Sequence, residues 1–308
     1  MQLKSSLILF LFLLSAPIAQ SAPCCGGSSA IPTLITGDDR AQIQASLSHG
    51  SMIGDAPSSG IPVFRASDDR EGLDVFNLAG AYRIFDRGQV GFGIPLISRN
   101  RNTPSATAGA AGIGDLIFDF AYEAIPDFDY SEWRPKGFVF LQMTLPTSAS
   151  TYDSIEPFQI DARGRGFYTL GLGAAFLKTI SNWDFLFTFE LHRSLKRTLT
   201  AQDGSTLSLV PQFGGTAMLG AGYSPGGGNL RFGASLAPIF EGPIDVYGAI
   251  DSISDSQLSW STSFQVGYLL SDEWSAGATY TDQTLMGPAS NVGLSRSILL
   301  SIQHRWPL

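Results

Sequence analysis

Apolar and polar residues alternate with a period of two along most of the chain. In residues 183–191 the odd positions are Trp183, Phe185, Phe187, Phe189 and Leu191, while even positions include Asp184, Thr188 and Glu190, followed by His192. Successive side chains of a strand point to opposite faces, so this segment predicts a strand with one greasy face and one wet face. Segment 258–268 repeats the pattern, with Leu258, Trp260, Phe264, Val266 and Tyr268 opposite Ser259, Ser261, Ser263 and Gln265. In 116–123 Leu116, Phe118, Phe120 and Tyr122 face away from Asp119 and Glu123, and Asp115 precedes on the same wet face. The pattern predicts twelve strands, at 41–50, 73–85, 89–98, 114–124, 137–146, 166–178, 182–193, 206–223, 229–240, 258–270, 273–282 and 296–306.

The links between these strands sort by length. Long ones (51–72, 99–113, 147–165, 194–205, 241–257 and 283–295) follow odd strands. Short ones, around Asp86-Arg87-Gly88, Ile180-Ser181, 224–228 and Ser271-Asp272, follow even strands, and 125–136 is intermediate. Short turns at one end and long loops at the other mark an outer-membrane barrel. The expected fold is therefore all-β: a transmembrane, antiparallel, up-and-down β-barrel of about twelve strands. An open sheet edge in hydrocarbon would leave backbone groups unpaired at several kcal/mol each, so 296–306 is expected to pair with 41–50. Tyr82, Trp183, Tyr223, Tyr268, Trp274, Tyr280 and Trp306 stand near strand ends, as interfacial aromatic girdles would.

The start of the chain adds a compartment. Lys4, an apolar run from Leu7 to Leu14 and small residues at Ala19, Ser21 and Ala22 read as a secretory signal over 1–21. Residues 22–40 are expected as a periplasmic lead-in and 41–308 as the barrel, in the bacterial outer membrane with both termini periplasmic. Only 15% of residues are charged, against about 25% in an ordinary soluble domain, and there are 34 glycines and 21 phenylalanines. The net charge of −8 argues against nucleic acid as a partner. The expected partners are outer-membrane lipids, the barrel-assembly machinery and a small solute. The two cysteines, Cys24 and Cys25, are adjacent and close no structural loop, and no cofactor or metal site is expected.

Parity assigns a set of side chains to the lumen. Asn77 and Arg83 come from the second strand, and Asp115, Asp119 and Glu123 from the fourth. Asp184, Glu190 and His192 come from the seventh, Arg231 from the ninth, Gln265 from the tenth, and Gln303 and Arg305 from the last. Such residues either line a solute path or pair across the lumen and plug it.

Gly112-Ile113-Gly114-Asp115-Leu116 opens a strand ending in Tyr122-Glu123, and the next ends Leu141-Gln142-Met143-Thr144-Leu145-Pro146-Thr147. In these segments the chain resembles the outer-membrane family associated with meta-pathway phenol degradation, a class of transporter-like barrels. The resemblance implies uptake of small compounds, hydrophobic ones among them, and assigns no substrate-binding residue. The expected function is thus a transporter or pore. The alternatives are a closed structural or surface-interaction barrel and a membrane-embedded lipid hydrolase. For the last, His49-Gly50-Ser51 and His192-Arg193-Ser194 place histidine and serine two residues apart. A serine nucleophile also needs a base oriented by a third group, which the sequence does not identify, so no enzyme is expected and no catalytic residue assigned.

Overall fold

The computed structural model describes residues 32–127, 131–200, 206–248 and 251–308. The signal segment, Cys24, Cys25 and the lead-in before residue 32 lie outside these residues.

Twelve antiparallel strands make the wall: β1 (Asp39–Ala56), β2 (Arg70–Phe85), β3 (Gly88–Asn102), β4 (Leu116–Ile125), β5 (Lys136–Leu145) and β6 (Thr169–Ile180), then β7 (Trp183–Ser194), β8 (Phe213–Tyr223), β9 (Leu230–Glu241), β10 (Gln257–Leu269), β11 (Trp274–Asp282) and β12 (Val292–Pro307). Each pairs with its sequence neighbours, and β12 returns to β1 from Asp39↔Pro307 to Ala56↔Val292. The sheet is closed, as the alternation and links predict. The greasy parity points out: Phe185, Phe187, Phe189, Leu191, Ile298, Leu300 and Ile302 are all exposed. An unbroken outer band of this kind matches a hydrocarbon surround. At the end with the short turns the band finishes in Tyr82, Trp183, Tyr223, Tyr268, Trp274 and Trp306, with Trp183 packed 4.9 Å from Tyr223. Tyr280 stands at the opposite end, where the long loops lie.

The strands overrun their expected limits mainly at the loop end. The expected link 99–113 is a continuation of β3 to Asn102, a turn closed by Thr103 N–H to Ala106 O at 2.9 Å, and a strand Thr107–Ile113. That strand pairs with β3 from Leu96↔Ile113 to Asn102↔Thr107. Above the bilayer both faces meet water, so alternation of polarity ends while backbone pairing goes on. The expected strand 206–223 divides at Gln212. Its first half, Thr206–Pro211, joins Arg197–Thr200, Ile244–Tyr247 and Ser252–Ile253 in a separate four-stranded sheet built from two of the long links.

Candidate functional site: the lumen

The inner face is built in three levels. At the turn end the chain before β1 lies inside the barrel, so residues 32–37 of the expected lead-in fill the lumen. Leu34 is 3% exposed and packs with Ala121, Phe138, Phe140 and Ala175, with Leu177 against the cluster. The backbone of this plug is held by wall side chains. Thr33 N–H donates to Asp119 Oδ2 (3.3 Å), Gln42 Nε2 donates to Leu34 O (2.9 Å), and Gln89 exchanges two bonds with Ile35 (2.6 and 3.3 Å). Lys136 Nζ donates to Thr36 O (3.0 Å) and Arg83 to Gly37 O (2.7 Å). Buried main-chain groups outside a sheet need such partners.

Above the plug lies a cavity of about 780 Å³. Its wall is mixed. Asn77, Ser46, Ser48, Gln142 and Thr144 stand beside Leu73, Val75, Pro95, Ile97, Ile117 and Leu299. Val75 faces Ile97 directly across β2 and β3. This aliphatic patch was not among the expected lumen residues. Val75-Phe76 and Leu96-Ile97 are apolar on both faces, and alternation reports only the polar exceptions.

The third level is the link from β5 to β6, whose residues 162–165 line the top of the cavity. Gly112-x-Gly114-Asp115 docks it. Asp115 accepts hydrogen bonds from Ser148 N–H (3.2 Å), Ser148 Oγ (2.6 Å) and Arg165 N–H (2.9 Å). Gly112 leaves room for the Arg163 guanidinium, which a Cβ would meet at 2.8 Å, and a Cβ on Gly164 would collide with Asp115. The motif is therefore a socket for a loop, as well as a tight way into a strand. Arg99 donates to Ala162 O at 2.8 Å. Arg165 pairs with Glu241 at 2.6 Å, and His192 bridges Glu190 (2.9 Å) and the same Glu241 (3.0 Å).

The remaining parity-assigned residues lie below or beside the cavity. Asp119 is buried and also bonded by Gln142 (2.9 Å). Glu123 pairs with Lys136 at 3.5 Å. Arg231 donates its Nε to Asp184 at 2.8 Å. Gln303 donates to Gln42 at 2.9 Å, Arg305 to Asp272 O at 3.0 Å, and Gln265 is half-buried opposite Gly233 and Thr279. The set thus divides: Asn77, Asp115, Asp119, Glu190 and His192 meet at the cavity, while Arg83, Glu123, Asp184, Arg231, Gln303 and Arg305 tie the turn-end half together. Sequence reasoning missed Glu71, Arg99, Arg165 and Glu241. Arg99 and Glu71 share the inward parity of Asn77, which could have found them. Arg165 belongs to a loop whose path no periodicity records.

The β5–β6 link is also fastened from outside the bilayer. Arg197 donates to Asp153 Oδ1 (2.6 Å), Ser150 Oγ (3.2 Å) and Gly166 O (3.0 Å). Burial raises the Asp153 carboxyl, but hydrogen bonds from Arg197 and Ser150 outweigh it and hold the group below the usual carboxylate range. A depressed folded value stabilises above the unfolded value of about 3.9 and is lost as pH falls through the folded one. Amide protection over 150–166, corrected for intrinsic exchange, is expected to be constant from pH 7 to about pH 5 and to fall below about pH 4. Protection unchanged at pH 3 would rule out this fastening.

Of the two His-x-Ser pairs, the second is split. His192 points into the carboxylate cluster, and Ser194 Oγ bonds Thr169 Oγ1 at 2.7 Å. The first pair lies on the outer wall, where His49 Nδ1 is 2.6 Å from Asp74 Oδ1.

Neither a family model nor a curated protein sequence matches the chain. Among solved structures, the COG4313 outer membrane channel from Pseudomonas putida F1 superposes with a TM-score of 0.67 at 14% identity, covering 91% of this chain and 100% of that one. The fold is that of an outer-membrane barrel. The translocator domain of the autotransporter NalP from Neisseria meningitidis gives a TM-score of 0.48 at 11% identity, over 88% of this chain and 90% of that one. The CymD monoaromatic hydrocarbon channel gives 0.41 at 9% identity, over 88% and 90%.

Proposed function

We propose that the barrel carries small molecules, hydrophobic ones among them, across the bacterial outer membrane through its lumen. The observation that carries this reading is the aliphatic patch of Val75, Ile97, Ile117 and Leu299 in the mixed wall of the cavity between plug and loop. Ligand sites are concave, largely apolar and supplied with a few oriented polar groups, and this cavity lies within their usual size range. Its likeness to a solved outer membrane channel and the resemblance at 112–116 and 141–147 fit the same role. On this reading the loops face outward, both termini lie in the periplasm, and the partners are outer-membrane lipids, the assembly machinery and the solute. A closed barrel is the second reading, favoured by the plug at 32–37.

The test pairs planar-bilayer recording with loading of an apolar fluorophore, N-phenyl-1-naphthylamine, into the detergent-solubilised barrel. Small but definite conductance and saturable loading are expected, with Val75→Asp and Ile97→Asp weakening loading at least tenfold. A heat-modifiable, folded sample showing neither would leave the closed barrel.

A further inference from the structure

We propose that Ser51, His49 and Asp74 form a hydrolytic site on the outer wall of the barrel that cleaves acyl esters of membrane lipids. This goes beyond passage through the lumen: His49 and Asp74 are not among the residues lining the cavity, and Ser51, which borders it, stands on the outward parity of β1.

The backbone register brings the three together. His49 and Ser51 are alternate residues of β1 on its outward parity, so their Cα atoms are about 6.6 Å apart along one face. On β2 Asp74 stands directly opposite His49. Its carboxylate lies 2.6 Å from His49 Nδ1, with the imidazole 72% exposed. A carboxylate on Nδ1 fixes the tautomer in which Nε2 carries the lone pair, which is how a third group prepares a histidine to act as base. Among the described residues no hydrogen bond joins Ser51 to His49. Such bonds are often long without substrate and tighten only in the reacting complex.

The strands on either side of the serine carry polar side chains. Arg296 of β12 is paired opposite Ser51, its guanidinium fixed by Asp282 (2.7 Å) and Thr284 (3.3 Å). On the other side Ser51 faces Gly72, over which the Asn100 side chain leans so closely that a Cβ there would meet its Oδ1 at 2.8 Å and its donor Nδ2 at 3.0 Å. A guanidinium and an amide beside the nucleophile are suited to the negative charge that develops on a carbonyl oxygen.

Depth selects the substrate. Leu47, Phe76, Leu300 and Ile298 are exposed below or level with His49, on the lipid-facing band, whereas Arg296 and Asp282 stand level with Ser51. The site is therefore at the boundary between hydrocarbon and headgroup, the depth at which a glycerolipid carries its ester carbonyls.

The chemistry balances with water as co-reactant. Ser51 Oγ forms a bond to the ester carbonyl carbon while its proton passes to His49 Nε2. The tetrahedral adduct then breaks its bond to the glycerol oxygen, which takes that proton and leaves as lysolipid. A water molecule from the headgroup side gives its proton to His49 and attacks the acyl-serine. Collapse releases the fatty acid, and the proton returns to Ser51. Asp74 is a positioning residue throughout.

The test uses full-length barrel reconstituted in phosphatidylethanolamine–phosphatidylglycerol vesicles, with fatty-acid release followed by mass spectrometry and heat-modifiability as the folding check. Release above protein-free vesicles is expected, with Ser51→Ala and His49→Ala each lowering it by about 100-fold or more. Asp74→Asn is expected to lower kcat by about tenfold or more with KM unchanged, the mark of lost orientation rather than lost binding. A fluorophosphonate probe is expected to label wild type at Ser51 and not Ser51→Ala. A folded barrel that neither releases fatty acid nor takes the label, or release that survives Ser51→Ala, would overturn the proposal.

Discussion

Excising residues 32–37 is expected to raise the single-channel conductance of the barrel several-fold. None of the strand pairings that close the wall uses these residues, so the variant should still fold and remain heat-modifiable. What it loses is the plug: the buried Leu34 side chain, worth about 1.5–3 kcal/mol of burial, and the bonds from Asp119, Gln42, Gln89, Lys136 and Arg83. Beside the apolar cluster of Phe138 and Phe140 the vacated groups are polar or charged, and water fills the space they line. Gln89→Leu removes both bonds to Ile35 and should give a smaller rise, with more frequent brief openings. A conductance unchanged by the excision would mean that the restriction lies at the β5–β6 link instead.

Glu71→Ala is expected to destabilise the barrel by about 3 kcal/mol, read as a lowered urea midpoint of the heat-modifiable form. Glu71 is 8% exposed and receives Arg65 at 2.7 Å and Arg99 at 2.8 Å, with Arg101 at 3.8 Å. Removing one member of a buried ion cluster leaves the others uncompensated, which costs about 3–5 kcal/mol; the partly exposed arginines place this case at the lower end. Arg99 also holds the carbonyl of Ala162, so the same change should loosen the loop above the cavity. Glu71→Gln keeps a neutral acceptor and should cost less.

Much of the wall was legible in the sequence because lipid imposes the alternation residue by residue. Trp183 to Leu191 can be read one position at a time, and β7 begins and ends within one residue of its expected limits. Thr107–Ile113, with alanines and glycines above the membrane, carries no such signal and is strand only because β3 beside it supplies backbone partners. The lumen was legible where it is charged. Asp115, Glu190 and His192 could be assigned inward by parity, but their contacts to the β5–β6 link depend on a loop path fixed by Asp115, Gly164 and Arg99 together. Asp74 shows the limit most clearly. In the sequence it is one wet residue 25 positions from His49, and only the register of β1 on β2 makes it a neighbour.

The polar groups of the wall hold the plug by its main-chain atoms: the N–H of Thr33, both polar groups of Ile35, and the carbonyls of Leu34, Thr36 and Gly37. The polar instructions for seating it are thus written in the barrel, and the segment adds the buried side chains of Leu34 and Ile35. Many extended hexapeptides with aliphatic residues at the third and fourth places should fit the same berth, so a synthetic peptide added in trans could reseal the excised barrel. Substitutions at Thr33 and Thr36 should then drift over evolutionary time, while the buried Leu34 and Ile35 stay aliphatic and Gln42, Gln89 and Asp119 stay fixed.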